Sequence, residues 1–256
     1  MPPSSSPRSL LRWEVMRELA VSDFRLKYYD SALGYAWSML SPLLMLAVFY
    51  FVFRFVLGVA TPGYLVYLLV GLVCWTFFQD CSYAGLTALG GKAGVLKSIR
   101  VPAGLVVAAG VLSTLITLGI NVTVLVVALA LTGRLSGLAP LAVLPLACLV
   151  LFAAGTSFLV ALAAVQFRDA SLIWGVLLQA LFWLTPVVYV ANTGPVAELL
   201  YLNPLARCLH LIRWFLLYDY LPTFRFVVVT VAVCAGTFIV GFALFLRRQA
   251  RVPESL

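Results

Sequence analysis

Residues 28–53 read YYDSALGYAWSMLSPLLMLAVFYFVF, and this stretch decides the fold class of the chain. After Asp30 it contains no charged residue, and it ends in a continuous run of apolar side chains. A helix needs about 20 mostly apolar residues to cross a hydrocarbon layer of ~30 Å. We therefore predict that the first membrane span covers residues 33–57.

Composition extends this prediction to the whole chain. Of the 256 residues, 64% are hydrophobic and 10% are charged, whereas soluble domains carry about 25% charged residues. The sequence therefore predicts an all-α, polytopic membrane protein with six transmembrane helices. The five further spans are predicted at about residues 64–86, 102–131, 138–165, 171–190 and 226–246.

The predicted third span is longer than an upright helix requires, because a rise of 1.5 Å per residue carries it beyond ~30 Å. This helix must tilt, protrude or break. If it breaks, Gly110, Gly119 and Asn121 are its weakest points.

The basic residues orient the spans. One set of connections holds most of the Lys and Arg residues, and connections of that kind face the cytoplasm. Both termini are then cytoplasmic, and the net charge of +8 needs no nucleic-acid partner to explain it. The basic residues on that side are Arg8, Arg12, Arg17, Arg25, Lys27, Lys92, Lys97, Arg100, Arg168, Arg247, Arg248 and Arg251.

The first 30 residues are predicted to lie outside the transmembrane domain, which covers 31–256. Residues 1–30 form a cytoplasmic tail and an amphipathic helix on the membrane surface. Ser6 can cap this helix, and Pro7 is suited to its first position.

The outer segment 191–225 is predicted to be re-entrant or interfacial. Asn203 and Pro204 have the residue types of a helix cap and a first helical residue. The helix that follows is amphipathic and too short to cross the membrane. Its polar arc holds Arg207, His210 and Arg213.

No constellation for catalysis is visible in the sequence. His210 is the single histidine, and neither a zinc-ligand spacing nor a G-x-S-x-G motif occurs. Residues 85–92, GLTALGGK, resemble a phosphate-binding loop, but Ala93 stands where Ser or Thr would bind magnesium. Asp80 is the single carboxylate well inside a span, whereas proton-coupled carriers place several ionisable groups there. We predict no catalytic residue, metal or cofactor in this chain.

The stretch that begins at Tyr28 splits into two helical faces. Tyr28, Tyr35 and Ser38 share a hydroxyl-rich stripe, while Trp37 lies on another face and is a membrane-interface anchor. The stripe suits a protomer contact or the cytoplasmic mouth of a channel, and ordinary helix packing explains it equally well.

Three stretches together resemble the ABC type-2 permeases that export polysaccharides. Residues 24–53, FRLKYYDSALGYAWSMLSPLLMLAVFYFVF, resemble the family's first span and the charged run before it. Residues 167–189, FRDASLIWGVLLQALFWLTPVVY, resemble its cytoplasmic turn and fifth span. Residues 201–217, YLNPLARCLHLIRWFLL, resemble its outer segment before the last span.

The resemblance implies a transporter permease, not an enzyme, in the bacterial cytoplasmic (inner) membrane. It implies a homodimer with two separate ATP-binding subunits that hold ATP and magnesium. The implied cargo is a lipid-linked glycan such as O-antigen, teichoic acid, galactan or capsule, carried through a channel between protomers. A type-2 exporter of a drug or small lipid is the alternative, followed by an ATP-independent channel or carrier.

The resemblance also implies a coupling loop at 88–101, which inserts into the ATP-binding subunit. Positive-inside charge without a partner is the competing explanation. The implied contact residues are Lys92, Val95, Leu96, Lys97, Ile99 and Arg100.

Further site residues cluster at the predicted ends of the fifth and last spans. Trp183 and Tyr189 join Tyr28, Tyr35 and Ser38 as candidate channel residues, although an aromatic belt also explains them. Arg168 and Asp169 form a structural turn in which Asp169 can cap the fifth span. The candidate outer gate, for which simple solvation is the alternative, consists of Tyr201, Arg207, His210, Arg213 and Trp214.

Overall fold

The computed structural model describes residues 7–27, 29, 31, 33–59, 61–90, 102–190 and 199–249. Within these ranges the chain forms α-helices and no β-strand. A 3₁₀ turn, Gly34–Ala36, precedes α2, and a π-helical turn, Val52–Val56, follows it. The helices are α1 (Pro7–Lys27), α2 (Trp37–Phe51), α3 (Tyr64–Ala88), α4 (Ala103–Leu131), α5 (Val143–Gln166), α6 (Ala170–Leu184), α7 (Pro204–Leu217) and α8 (Phe224–Arg248).

Five described segments are long and apolar enough to cross a membrane, which confirms a polytopic all-α membrane protein. They begin and end within a few residues of the predicted spans, and the six-span count itself stays a prediction. The segments are Gly34–Val56, Tyr64–Ala88, Ala103–Leu131, Ala139–Gln166 and Phe224–Arg248.

The predicted fifth span, 171–190, is wrong at its outer end because α6 stops at Leu184. Pro186 has no N–H to donate to the helical ladder, and it disfavours helical geometry at the residue before it. Thr185 is accordingly extended, with φ −108° and ψ 130°. The chain then turns beneath the outer helix.

The predicted third span does not break. Helix α4 runs for 29 residues from Ala103 to Leu131 without interruption. Gly110 instead provides close packing, because a Cβ at that position would lie 3.3 Å from the Cβ of Ala84 on α3.

Helix α3 is the centre of the bundle and packs against α2, α4, α5 and α7. Of its most apolar window, 78% is buried, compared with 11% for the first span. Helices α5 and α8 form the other main pair. They meet at Gly155, where a Cβ would lie 2.7 Å from the backbone of Phe238, and at Gly241, where a Cβ would meet the carbonyl of Gly155. Small residues of this kind let membrane helices approach closely.

Helix α1 starts at Pro7, as predicted. It packs against α4, and its Ala20 is fully buried. The helix is therefore docked on the bundle, while its position on the membrane surface stays a prediction.

Candidate functional site

A groove of about 350 Å³ lies between α2, α3 and α6. Tyr83 and Trp75 of α3 contact α6 at points about two turns apart. The Tyr83 Oη would lie 3.6 Å from a Cβ at Gly175, and Trp75 meets Phe182 with ring centroids 5.2 Å apart. The α6 wall consists of Gly175, Leu178, Gln179, Phe182 and Trp183. The facing walls consist of Leu72, Trp75, Thr76, Gln79 and Tyr83 on α3 and Met45 and Phe49 on α2.

The groove combines aromatic rings with two amides. Phe182 stacks on Phe49 at 5.7 Å and meets Trp183 edge-on at 5.3 Å. Gln79 is half-buried and Gln179 is exposed, and neither side-chain amide forms a hydrogen bond within the described part of the chain. The site therefore presents apolar rings beside polar groups whose hydrogen bonds are unused.

The candidate channel residues Trp183 and Tyr189 lie together at the outer end of this groove. The Tyr189 hydroxyl donates to the Trp183 carbonyl at 2.9 Å, and the Tyr189 carbonyl accepts from Tyr67 Oη at 2.9 Å. Trp183 is 55% exposed, so its ring is available to a partner or to cargo.

The candidate channel residues at the start of the first span are separated from Trp183 and Tyr189. Tyr35 stacks on Phe24 of α1, with ring centroids 5.3 Å apart, and it is half-exposed. Ser38 is buried inside the protomer, and its hydroxyl donates to the Tyr35 carbonyl at 2.7 Å. The structure thus favours packing over a channel surface for Ser38. Tyr28 lies outside the described residues.

Helix α7 starts as predicted and is tied to the end of α6. The side-chain oxygen Oδ1 of Asn203 accepts from the Leu205 N–H at 3.0 Å, which caps the helix. The Asn203 amide also donates to the Thr185 hydroxyl at 2.8 Å. The turn after α6 is therefore connected to the outer helix at its first residue.

Four of the candidate outer-gate residues meet around Phe226 of α8. Tyr201 and Trp214 each contact the Phe226 ring at 5.3 Å, and His210 lies between them, 5.0 Å from Tyr201 and 5.7 Å from Trp214. The Arg207 guanidinium sits 4.1 Å above the Phe226 ring. This outer aromatic cluster joins α7 to the start of α8.

Arg213 is placed differently from the rest of the predicted gate. Arg213 is 1% exposed, and its guanidinium donates to the carbonyls of Pro186 at 2.6 Å, Val187 at 2.8 Å and Tyr67 at 3.1 Å. It also stacks 3.4 Å above the Tyr67 ring. We call this arrangement the Arg213 clamp. Burial, and then the charge of Arg213, lowers the pKa of His210 to about 4.

The predicted polar arc of α7 is therefore wrong for Arg213. It lies on the buried side of the helix because the turn after α6 offers carbonyl groups that need donors. A Cβ at Gly71 would contact both the Val187 carbonyl and the Arg213 guanidinium, so the missing side chain gives the clamp its room. The gate assignment of the remaining residues stays a prediction.

A second groove, of about 380 Å³, lies at the predicted cytoplasmic side between α1, α3 and α4. Lys27 of α1 pairs there with Asp80 of α3, with 2.6 Å between Nζ and Oδ2. Both side chains are partly exposed, so the pair contributes about 0–1 kcal/mol to stability. Asp80 thus pairs with a basic residue of a neighbouring helix.

In the turn between α5 and α6, Asp169 lies at the predicted capping position, but the predicted capping hydrogen bond is absent. Asp169 is the residue before α6, yet its carboxylate makes no capping hydrogen bond; its backbone carbonyl accepts from Ile173. Arg168 is exposed and pairs with no carboxylate in the described chain. The coupling residues Lys92, Val95, Leu96, Lys97, Ile99 and Arg100 lie outside the described residues.

Sequence reasoning missed Gln79, Gln179 and Phe182. The signal was available for the glutamines, because an amide within an apolar span commonly hydrogen-bonds to a partner across helices. No cluster of three metal-ligating side chains occurs among the residues that the structure describes.

Residues 15–217 match the family model described as ABC-2 type transporter. A protein of Klebsiella pneumoniae named O-antigen export system permease protein RfbA is 26% identical over 245 residues, which cover 91% of this chain and 92% of that protein. A Myxococcus xanthus protein of the same name is 28% identical over 191 residues, which cover 73% of this chain and 70% of that protein. The family match includes the groove between α2, α3 and α6 and the whole of α7.

Proposed function

Because this chain belongs to the ABC-2 type transporter family, we propose that it is the membrane subunit of an ATP-driven exporter of a lipid-linked polysaccharide. The similarity to O-antigen export permeases carries the proposal, because it covers more than nine tenths of both chains, 91% and 92%. Homology to these permeases fits a polysaccharide exporter, and the lipid-linked form of the cargo is part of the proposal.

The proposed assembly contains two copies of this chain and two ATP-binding subunits in the bacterial cytoplasmic membrane. Only 11% of the first span's apolar window is buried in the protomer, which leaves surface for a second copy. ATP and magnesium would bind the partner subunits, which this chain would contact through the loop 88–101. The movement of that loop would open a path between protomers.

Deletion of the gene tests this function. The lipid-linked polymer that is normally exported should accumulate in the cytoplasmic leaflet, and it should disappear from the cell surface. Re-expression of the wild-type chain should restore export. Unchanged surface polymer in the deletion strain, or loss of a small molecule's export instead, would contradict the proposal.

A further inference from the structure

Gln179 is an exposed amide within an apolar helix. It lies on α6, where its immediate neighbours Leu178 and Ala180 are apolar. Its side chain forms no hydrogen bond within the described part of the chain. An amide that faces lipid without a partner loses the hydrogen bonds it makes in water, which costs several kcal/mol. Polar residues in spans accordingly face a protein neighbour or a water-filled cavity.

The groove on this side of α6 contains a second amide. Gln79 lies on the opposing wall, on α3, and is half-buried. Thr76 is one turn away, but its hydroxyl already donates to the Leu72 carbonyl at 2.8 Å. The two glutamines thus place unused amides on facing walls of the groove, beside the hydroxyl of Tyr83, which also forms no hydrogen bond within the described part of the chain.

Among the described residues, the groove on the other side of α6 has no amide in its lining. That groove, between α5 and α6, has a volume of about 470 Å³ and a lining that includes Leu159, Phe167 and Leu177. Its one hydroxyl amino acid, Thr156, donates to the Phe152 carbonyl at 2.9 Å. It therefore suits acyl chains, whereas the groove with the glutamines suits a ligand with many hydroxyls.

We propose that the groove between α2, α3 and α6 binds the sugar units of the cargo as they pass, and that Gln79 and Gln179 hydrogen-bond their hydroxyls. A pyranose ring has apolar C–H faces and a rim of hydroxyl groups. Phe182 and Trp183 offer apolar faces beside the two amides. Largely apolar pockets with a few placed polar groups are typical ligand sites, and 350 Å³ lies within their range of about 300–1,000 Å³.

This inference rests on the proposed function, and substitution of the glutamines tests it. Gln179→Leu and Gln79→Leu are expressed in the deletion strain, and surface polymer is measured over time. Each should export roughly three- to tenfold more slowly, the size expected for one lost hydrogen bond. Gln179→Asn, which keeps the amide, should recover part of the rate.

Leu177→Ile is the matched control. Leu177 is two residues from Gln179, is 51% exposed and faces the apolar groove, so this variant should export normally. Membrane abundance, copurification of the ATP-binding subunit and the cross-linked dimer fraction should equal those of wild type in all variants. A dimer fraction that falls in Gln179→Leu would overturn the inference, because the amide would then join two copies of the chain.

Normal export by both leucine variants would also overturn it, while the proposed function would stand if wild type restored export. If the wild-type chain restored no polymer export, both the function and the sugar site would fail.

A water-soluble thiol reagent gives an independent readout, because the five native cysteines are buried. Gln179→Cys should react faster than Leu177→Cys in membrane fragments, and equal reactivity would contradict a polar path.

Discussion

At the scale of single residues, Arg213 is the largest fully buried side chain of the described chain. Its charge is buried without a carboxylate partner, and three carbonyl groups and the Tyr67 ring surround it. A planar guanidinium matches several fixed acceptors at once, which the compact ammonium of lysine does not. The clamp thereby donates hydrogen bonds to carbonyl groups of the turn after α6. These carbonyls have no helical donors because α6 ends early.

Arg213→Lys should lower the melting temperature of the purified protein. The substitution leaves at least one buried carbonyl without a donor, and each such group costs about 1–3 kcal/mol. Arg225→Lys, at an exposed position on the same predicted side, should melt like wild type. Equal melting temperatures for Arg213→Lys and wild type would show that the clamp does not stabilise the fold.

The clamp also shows where sequence reasoning reaches its limit. Periodicity places Arg207, His210 and Arg213 on related turns of one helix. The residue types of Asn203 and Pro204 correctly predict where that helix begins. Periodicity does not reveal which turn meets unpaired carbonyls, because those belong to the backbone of a distant segment. Asn203 was predictable because its capping partner, Leu205, is local in sequence.

At the scale of elements, the contact between α5 and α8 depends on glycine. A methyl group at Gly241 would collide with the Gly155 carbonyl, whereas nothing lies within 4 Å of a Cβ at Gly236 on the same helix. Overpacking costs about 1–3 kcal/mol, while Gly→Ala in an open helix position gains about 0.5–1 kcal/mol. Gly241→Ala should therefore lower the melting temperature, and Gly236→Ala should preserve or raise it. The reverse order would refute the proposed tight crossing.

The boundaries of most helices were predictable for a simple physical reason. Length and apolarity are dictated by the bilayer, so α3, α4, α5 and α8 begin and end close to the predicted spans. Helix α6 ends early because a proline acts locally, against the apolar pattern that continues to Val190. Tertiary grooves such as the one that holds Gln79 require three helices at once, and no single periodicity predicts them.

At the scale of the whole molecule, the proposed exporter depends on contact with its ATP-binding subunits. Lys97→Glu combined with Arg100→Glu should abolish copurification with that subunit and stop export, because the reversed charges would face its carboxylates. The abundance of the permease in the membrane should be unchanged. Normal copurification and export in this variant would show that the loop does not couple the permease to its ATP-binding subunit.

The early end of α6 has a consequence for the surrounding lipid. At 1.5 Å per residue, its 15 residues rise about 22 Å, which is less than the ~30 Å thickness of an average hydrocarbon layer. Such hydrophobic mismatch is relieved when the bilayer thins around the short helix. We therefore expect the two leaflets to approach each other beside α6. The hydrocarbon layer that a lipid headgroup must cross is then thinnest next to the groove that holds Gln179.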